Sequence, residues 1–575
     1  MRPTIAQPTA ESLSLPHGFR FRCFPRTYLD TSAFLCCLSL VFSVLPLSGL
    51  AVELRDSDQV SLHPTEPTEI TLTGQNLRSE SGQVADLWCS SPVTVEVLDP
   101  ENKDRNRVRY RVTPTKPMGG VVTIRVYTAD SVSQALLFFI ASPASQVIPS
   151  GSDPPLKPPF GIDLKSTGNG DTTLRFECEK GQTLFAEIIG SRIGSAIDGV
   201  LTLSDENRRE LAFADDHPMT GSDPLLKWTT KYAGIHYLTV KDVEYRGGLR
   251  MHVRVSEKTT AGRTIPSAIR RGETRRLRAT AGSHPEPLCE QVVHIDMSEA
   301  PGLGYVPHDS ILSPFIKSDQ PVYTEADSDR VPVPALFCGR IESGEEFDRV
   351  TFDAREGDTL TIKFLSTDGP FVGDLRLFRN DQKVRDHHFG RDPNNSLKYQ
   401  VPETDTYRLE IREVLKRSGI GFEYCVSLRN DLAPTVLRIA PVQQGDRRIR
   451  NDKPHRQVWF NDETLPVLVR ADRRGFDGPI SVHAELDGKT CQVDGSIDEK
   501  KNEAEIQIHL PHEIPNREVK SLRIFGSCEM ADQTMYIPLD LNEHIKRDFE
   551  EFATIPANAG RTIAVVVTPY EGKKE

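Results

Sequence analysis

Phe176-Glu-Cys-Glu-Lys-Gly181-Gln-Thr183-Leu184 returns later in the chain as Phe352-Asp-Ala-Arg-Glu-Gly357-Asp-Thr359-Leu360. The aromatic, glycine, threonine and leucine stay in place while the polar residues between them change. A shared β-fold keeps such a frame, whereas a shared catalytic centre would keep its reactive side chains. The match extends downstream. Leu226-Lys-Trp228 ahead of Gly-Ile-His236-Tyr-Leu238-Thr-Val240 parallels Leu397-Lys-Tyr399 ahead of Asp-Thr-Tyr407-Arg-Leu409-Glu-Ile411. Period-two alternation places Leu238 and Val240, like Leu409 and Ile411, on one face of a sheet, which is a core role.

Working outward, short alternating runs recur along the chain. In the first copy they are Thr173–Cys178, Thr183–Ile189, Val200–Leu203, Leu225–Thr229, Gly234–Val240 and Leu249–Val255. Before it, Ile70/Leu72, Val93/Val95/Val97, Val108/Tyr110/Val112 and Val122/Ile124/Val126 alternate between turn-rich stretches. After the second copy, similar runs lie around 465–469, 480–484, 506–508 and 522–525, with a closing strand at 562–568 and a charged helix candidate at 542–552. The chain has 575 residues, 41 of them Pro and 39 Gly, so many short strands joined by turns are expected.

The expected fold is therefore all-β: tandem β-sandwich domains, immunoglobulin-like and jelly-roll-like, strung into a rod of about five. Residues 1–51 read as a signal peptide, 52–145 as an immunoglobulin-like sandwich, and 146–159 as a Pro/Ser/Gly-rich linker. Residues 160–257 form the first repeat copy, 258–325 a small immunoglobulin-like domain, 326–430 the second copy, and 431–575 a C-terminal sandwich.

Arg20, Arg22 and Arg26 precede the apolar run 33–50, and Gly49-Leu50-Ala51 offers small residues at a cleavage site, predicting export and cleavage after Ala51. No later segment is long and apolar enough to span a bilayer. A net charge of -12 argues against a nucleic-acid partner. Seven cysteines follow Ala51, none in metal-ligand spacing. Cys338 with Cys425, and Cys491 with Cys528, are the disulfide candidates for an oxidising compartment, with buried free thiols as the alternative reading.

The order of these features resembles the bacterial pre-peptidase C-terminal domain, present here in two diverged copies. The residues that carry the likeness are F-x4-G-x-T-L at 176–184 and 352–360, Ser195-Ala-Ile-Asp198-Gly-Val-Leu-Thr-Leu-Ser-Asp205, Asp215-Asp216, and Gly234 to Val240 with Tyr237-Leu238. Arg271-Gly272-Glu273-Thr274 and Arg473-Arg474-Gly475-Phe476 look like parts of the sandwich domains that accompany this module. The two copies cover about a third of the chain. The resemblance implies a jelly-roll-like sandwich and an extracytoplasmic accessory role, and it does not imply peptidase activity.

No G-x-S-x-G elbow, H-E-x-x-H helix, phosphate-binding G-x-x-x-x-G-K-[ST] loop or dinucleotide fingerprint occurs. No enzyme is expected, although a dispersed Ser/His/Asp set is not visible to such motifs. Asp198, Asp205, Asp215, Asp216 and Asp223 are candidate calcium ligands, hard oxygens of the kind that ion prefers; the competing reading is solvated turn residues. Otherwise no cofactor is expected. Asp386-His387-His388 with Asp392 is a weaker transition-metal candidate, His387-His388 standing roughly where the first copy has Asp215-Asp216. Trp88, Trp228 and Trp459 stand in three different domains, so core packing is favoured over a sugar-stacking row.

These readings predict a periplasmic or extracellular, cell-surface protein that binds an envelope protein. The alternatives are a calcium-assisted polysaccharide-binding module, and a peptidase-associated accessory protein with cryptic hydrolase activity.

Overall fold

A computed structural model describes residues 51–149, 153–168, 170–217, 220–281, 287–296, 302–306, 308, 311–365, 371–388, 396–430, 436–440, 455–460, 464–473, 476–511, 518–530, 533–548 and 562–568. The apolar run 33–50, expected from the sequence to belong to a signal peptide, lies outside them. Strand makes up 60% of the structure and helix 2%, which places it in the all-β class. Among the described residues no helix is long and apolar enough to cross a membrane.

The repeat defines the architecture. In the first copy the strands are β1 (Phe160–Thr167), β2 (Thr172–Cys178), β3 (Thr183–Ile189), β4 (Gly199–Ser204), β5 (Glu210–Ala214), β6 (Leu225–Thr229), β7 (Gly234–Asp242) and β8 (Gly247–Ser256). They form two four-stranded sheets, ordered β1-β8-β3-β6 and β2-β7-β4-β5. In the second copy they are β9 (Ala335–Arg340), β10 (Asp348–Ala354), β11 (Thr359–Phe364), β12 (Gly373–Arg379), β13 (Gln382–His388), β14 (Leu397–Gln400), β15 (Asp405–Glu413) and β16 (Glu423–Asn430). Their sheet orders, β9-β16-β11-β14 and β10-β15-β12-β13, reproduce the first copy strand for strand.

The repeated residues sit where the fold needs them. Phe176 is opposite His236 and Phe352 opposite Tyr407, both phenylalanines fully buried. Leu184 is opposite Trp228 and Leu360 opposite Tyr399. An aromatic knot results in each copy: Phe176 lies 6.1 Å from Trp228 and 5.9 Å from His236, and Tyr407 lies 6.2 Å from Phe352 and 6.0 Å from Tyr399. Gly181 and Gly357 hold φ of 81° and 86°, a region open to glycine at little cost. Their N–H groups donate to the carbonyls of Thr230 and Val401 at 2.8 and 2.9 Å, closing matching turns.

Ahead of the repeat, Glu53–Ser57, Thr68–Gln75, Arg107–Pro114 and Val93–Val97 form one sheet, packed on a second that holds Leu136–Ile140 and Val121–Thr128. Between the copies lie two three-stranded sheets over a core of Ile269, Leu277, Ala279 and Phe315. Val322–Thr324, placed with this small domain by the sequence, pairs in parallel with β9 and so extends the second copy's sheet. The last sandwich packs around Trp459, Val469, Ile480 and Ile524, and a helix spans Asn542–Asp548; the remainder of the helix candidate, 549–552, lies outside the described residues.

Side-chain contacts join the sandwiches to one another. Asp163 of β1 accepts the N–H groups of Val60 and Ser61 at 2.8 and 3.0 Å, joining the first sandwich to the first copy. Glu187 accepts the N–H and hydroxyl of Thr260, both at 2.6 Å. Ser267 donates to the Tyr424 carbonyl at 3.1 Å. Asp319 receives Arg523 of the last sandwich at 3.0 Å. Arg456, almost wholly buried, donates to the Val132 carbonyl at 3.0 Å and pairs with Glu53 at 3.3 Å, so the last sandwich meets the first. Val132, Val519, Ala564 and Val566 cover this contact. Buried charges paired across these contacts hold the sandwiches together, because a charge removed from water is costly unless paired.

Candidate functional site

The register of β4 and β5 decides which of the five aspartates meet. Leu201 lies opposite Ala214, so Asp198, just before β4, and Asp215-Asp216, just after β5, arrive at the same end of the hairpin. Their carboxylate oxygens lie within 4.8 Å of one another. Asp198 is half-buried and the other two are exposed. Its backbone is fixed on both sides: its N–H donates to Asp242 at 2.9 Å, and its carbonyl accepts the Val243 N–H at 2.8 Å. Burial, then the neighbouring Asp216 and Asp215, push the Asp198 carboxyl above its ordinary value.

Asp205 and Asp223 do not belong to this group. Asp205 sits at the opposite end of the hairpin, where Oδ1 accepts the N–H groups of Asn207 and Arg209, both at 2.9 Å. It is a turn residue of the kind aspartate favours. Asp223 is fully buried and accepts the N–H groups of Gly190, Ser191 and Arg192, plus Arg192 Nε at 2.8 Å. Its oxygens are committed to shaping the turn after β3.

Among the described residues the second copy builds no matching group. His387 lies opposite Leu375 as Ala214 lies opposite Leu201, so His388, not His387, takes the place of Asp215. His388 Nδ1 is 2.9 Å from Asp374, and Asp386 is paired with Lys383 at 2.6 Å. Asp392 lies outside the described residues.

Beside the carboxylates, the outer face of the β2-β7-β4-β5 sheet presents Thr173, Thr239, Thr202 and Phe213 as one row across four strands. Tyr237 lies next to this row with the Arg208 guanidinium 3.5 Å from its ring centre. Of the tryptophans, Trp228 and Trp459 are buried, and Trp88 is half-buried against the contact between the first and last sandwiches. None forms an exposed sugar platform.

The cysteine pairs separate. Cys338 and Cys425 are direct cross-strand partners, both buried, with their thiols in hydrogen-bonding contact. That contact, and then burial, push the Cys425 thiol well above its ordinary value. Cys491 and Cys528 also share a core but cannot join. Cys491 pairs with Ala484, which pairs with Ile524, so the two lie two strands apart with Cys528 four residues further along. That geometry separates them by more than about 10 Å, beyond the reach of a disulfide.

Two groupings carried no sequence signal. Ser61, Asp163 and His252 converge, with Ser61 Oγ and His252 Nδ1 both bonded to the Asp163 carboxylate, at 3.0 and 2.7 Å. In a hydrolytic triad the serine would face the imidazole. Here both address the aspartate, and His252 is wholly buried, so the trio pins a contact between sandwiches. Burial by itself would raise the Asp163 carboxyl, but His252 and the amides of Val60 and Ser61 hold it below its ordinary value.

The second grouping is in the second copy, where the Tyr424 hydroxyl lies 2.7 Å from Asp348 and 3.2 Å from Glu325. A single phenolic proton serves two carboxyls, and burial pushes Asp348 up to about 7, with Glu325 adding to the rise.

No known family model matches the chain, and no curated protein matches it. Among solved structures it is similar to the pre-peptidase C-terminal domain of a Bacillus anthracis collagenase, at 14% identity over 18% of this chain and all of that one, with a TM-score of 0.15. It is also similar to Aeromonas hydrophila PliG, a periplasmic inhibitor of g-type lysozyme, at 16% identity, 19% and 99% coverage and a TM-score of 0.14. A third is Clostridium perfringens ZmpB, its M60 catalytic domain with two CBM51 domains, at 10% identity, 66% and 43% coverage and a TM-score of 0.14. At such scores the fold rests on the strand order given above.

Proposed function

We propose that this chain is an exported, non-enzymatic binding or structural protein of the cell envelope, working in the periplasm or at the cell surface through protein–protein contacts. One observation carries the reading: what the two copies share is core and turn, while their outer faces differ in chemistry at matched positions. Phe176, Gly181 and Leu184 keep their counterparts Phe352, Gly357 and Leu360. The row Thr173, Thr239, Thr202, Phe213 is matched in register by Arg349, Glu410, Arg376, Asp386. A scaffold that is kept while its surfaces diverge suits presentation of distinct contact faces, and the paired buried charges between sandwiches favour a fixed arrangement of those faces.

Affinity capture tests it. Chain beginning at Val52 is immobilised and exposed to the producing cell's envelope fraction. A specifically retained protein, displaced by soluble chain, supports the reading. Retained polysaccharide in its place favours the second reading, calcium-assisted glycan binding, whose own support is the meeting of Asp198, Asp215 and Asp216 beside an aromatic-bearing face. Turnover of peptide or glycan by the purified chain would overturn the non-enzymatic assignment.

A further inference from the structure

We propose that β5, the edge strand of the first copy, docks an extended segment of a partner protein, which adds as a fifth strand and lays a basic residue over Asp198, Asp215 and Asp216. This rests on the protein-contact reading and specifies its site.

Among the described residues β5 pairs with β4 alone, leaving one side of its backbone without a strand partner. Its side chains are arranged against the usual order. Leu211 and Phe213, its large apolar residues, are 47% and 55% exposed, while Ala212 and Ala214 face the core. The register shift beside Leu211 confines the regular edge to Ala212–Ala214 and the residues that run on into the carboxylates. Exposed edges with apolar faces are templates for pairing, and proteins that need to prevent this place charge there.

The second copy supplies the internal control. Its equivalent strand, β13, carries exposed Lys383, Arg385 and Asp386, and Asp386 stands at the register position of Phe213. At the middle of the edge one copy carries charge and the other an exposed phenylalanine, on the same scaffold within one chain.

The occupant follows from chemistry at two places. An open strand edge offers N–H and C=O groups at the spacing of another peptide backbone, which a glycan does not match. At the far end of β5, three carboxylates lie together, with Asp198 held partly out of water, and a lysine or arginine side chain would relieve their mutual repulsion. The other end is mixed, with Arg208 and Arg209 beside Glu206 and Glu210. Charge therefore favours a basic residue at one end of the added strand.

The probes are synthetic peptides of about nine residues alternating valine and threonine, with paired lysines at either end, or paired glutamates instead, titrated into the chain from Val52 by fluorescence anisotropy. The expected result is binding of a lysine peptide, at least about tenfold weaker for its glutamate version and for the Phe213→Asp chain. Methylation of alternate peptide amides should remove binding on one set and spare it on the other. Hydrogen exchange should show the peptide protecting amides of β5 and not of β13, a readout that does not depend on any variant folding. Absence of binding by every lysine peptide, or binding indifferent to Phe213→Asp, overturns the site. An envelope protein retained equally by wild-type and Phe213→Asp chains would leave the protein-contact reading standing and sink this site alone.

Discussion

The same row of four side chains reads Thr173, Thr239, Thr202, Phe213 in the first copy and Arg349, Glu410, Arg376, Asp386 in the second. Beneath both rows lie aromatic knots built at identical register positions. In the first copy the row is neutral, with Thr173 and Thr239 hydroxyls 3.3 Å apart. In the second it alternates in charge, with Arg349 3.4 Å from Glu410. A β-sandwich thus separates two tasks by strand parity: residues facing in are held by packing, while their neighbours facing out are free to change. The charged mid-edge of β13 and the apolar mid-edge of β5 follow the same division.

The strongest way to break the comparison is at the shared core. Phe176→Ala and Phe352→Ala should each destabilise their sandwich by about 3–5 kcal/mol, through lost burial and the cavity left behind. Urea denaturation with a probe in each copy would measure both. If one substitution were nearly silent, the two knots would not be equivalent despite their register.

A second equivalence is finer. Asp242 closes the turn after β7 by accepting the Arg246 N–H at 2.9 Å, and Glu413 closes the turn after β15 by accepting the Arg417 N–H, also at 2.9 Å. Both carboxyls lie below their ordinary values: burial opposes this, and the arginines prevail. Each contributes stability that is present above the unfolded-state carboxyl value and lost as pH falls through the lower folded one. Asp242→Asn and Glu413→Gln should cost about 1–3 kcal/mol at pH 7 and progressively less at acid pH. Equal costs at pH 7 and pH 3 would remove the charge from the explanation.

The sequence revealed the inward half of this design and hid the outward half. Six of the eight strands of the first copy were legible because residues such as Leu238 and Val240 alternate with polar ones. Strand β5 was missed because its pattern is inverted: Leu211 and Phe213 point to water and two alanines point in, so alternation no longer marks the core face. The sequence groups Asp198, Asp205, Asp215, Asp216 and Asp223, of which only Asp198, Asp215 and Asp216 meet, since only the β4–β5 register tells which end of a hairpin an aspartate occupies. The Asp163–His252 and Asp348–Tyr424 pairs were invisible, their members being 89 and 76 residues apart. Interlocking of the sandwiches was hidden for the same reason: Arg456 and Glu53 are 403 residues apart.

Asp348 sharpens the comparison through pH. Its register counterpart in the first copy is Thr172, so only the second copy carries this titration. With its folded value raised from 3.8 to about 7, the group's contribution is fully present below the unfolded value and is lost as pH rises through about 7. Asp348→Asn should therefore stabilise the second copy at pH 8, on the order of 1–2 kcal/mol once solvent screening is allowed for, with little gain at pH 4. Thermal melts of the variant across this range decide it, and a gain that is constant with pH would refute the assignment.

The smallest effect tests the carboxylates themselves. If Asp198, Asp215 and Asp216 take calcium, about 5 mM of the ion should raise the melting transition of the first copy by the equivalent of about 1 kcal/mol, given a dissociation constant of about 1 mM, typical of weak extracellular sites. Asp216→Asn should abolish the rise, and the second copy, with His388 at the Asp215 position, should not respond. Lack of a shift would leave the three as solvated residues at the end of a hairpin. The ion and a basic side chain would compete for the same oxygens. Calcium that raised the melting transition should then weaken a lysine peptide on β5 and leave its glutamate version unaffected, whereas equal weakening of both would place the ion elsewhere.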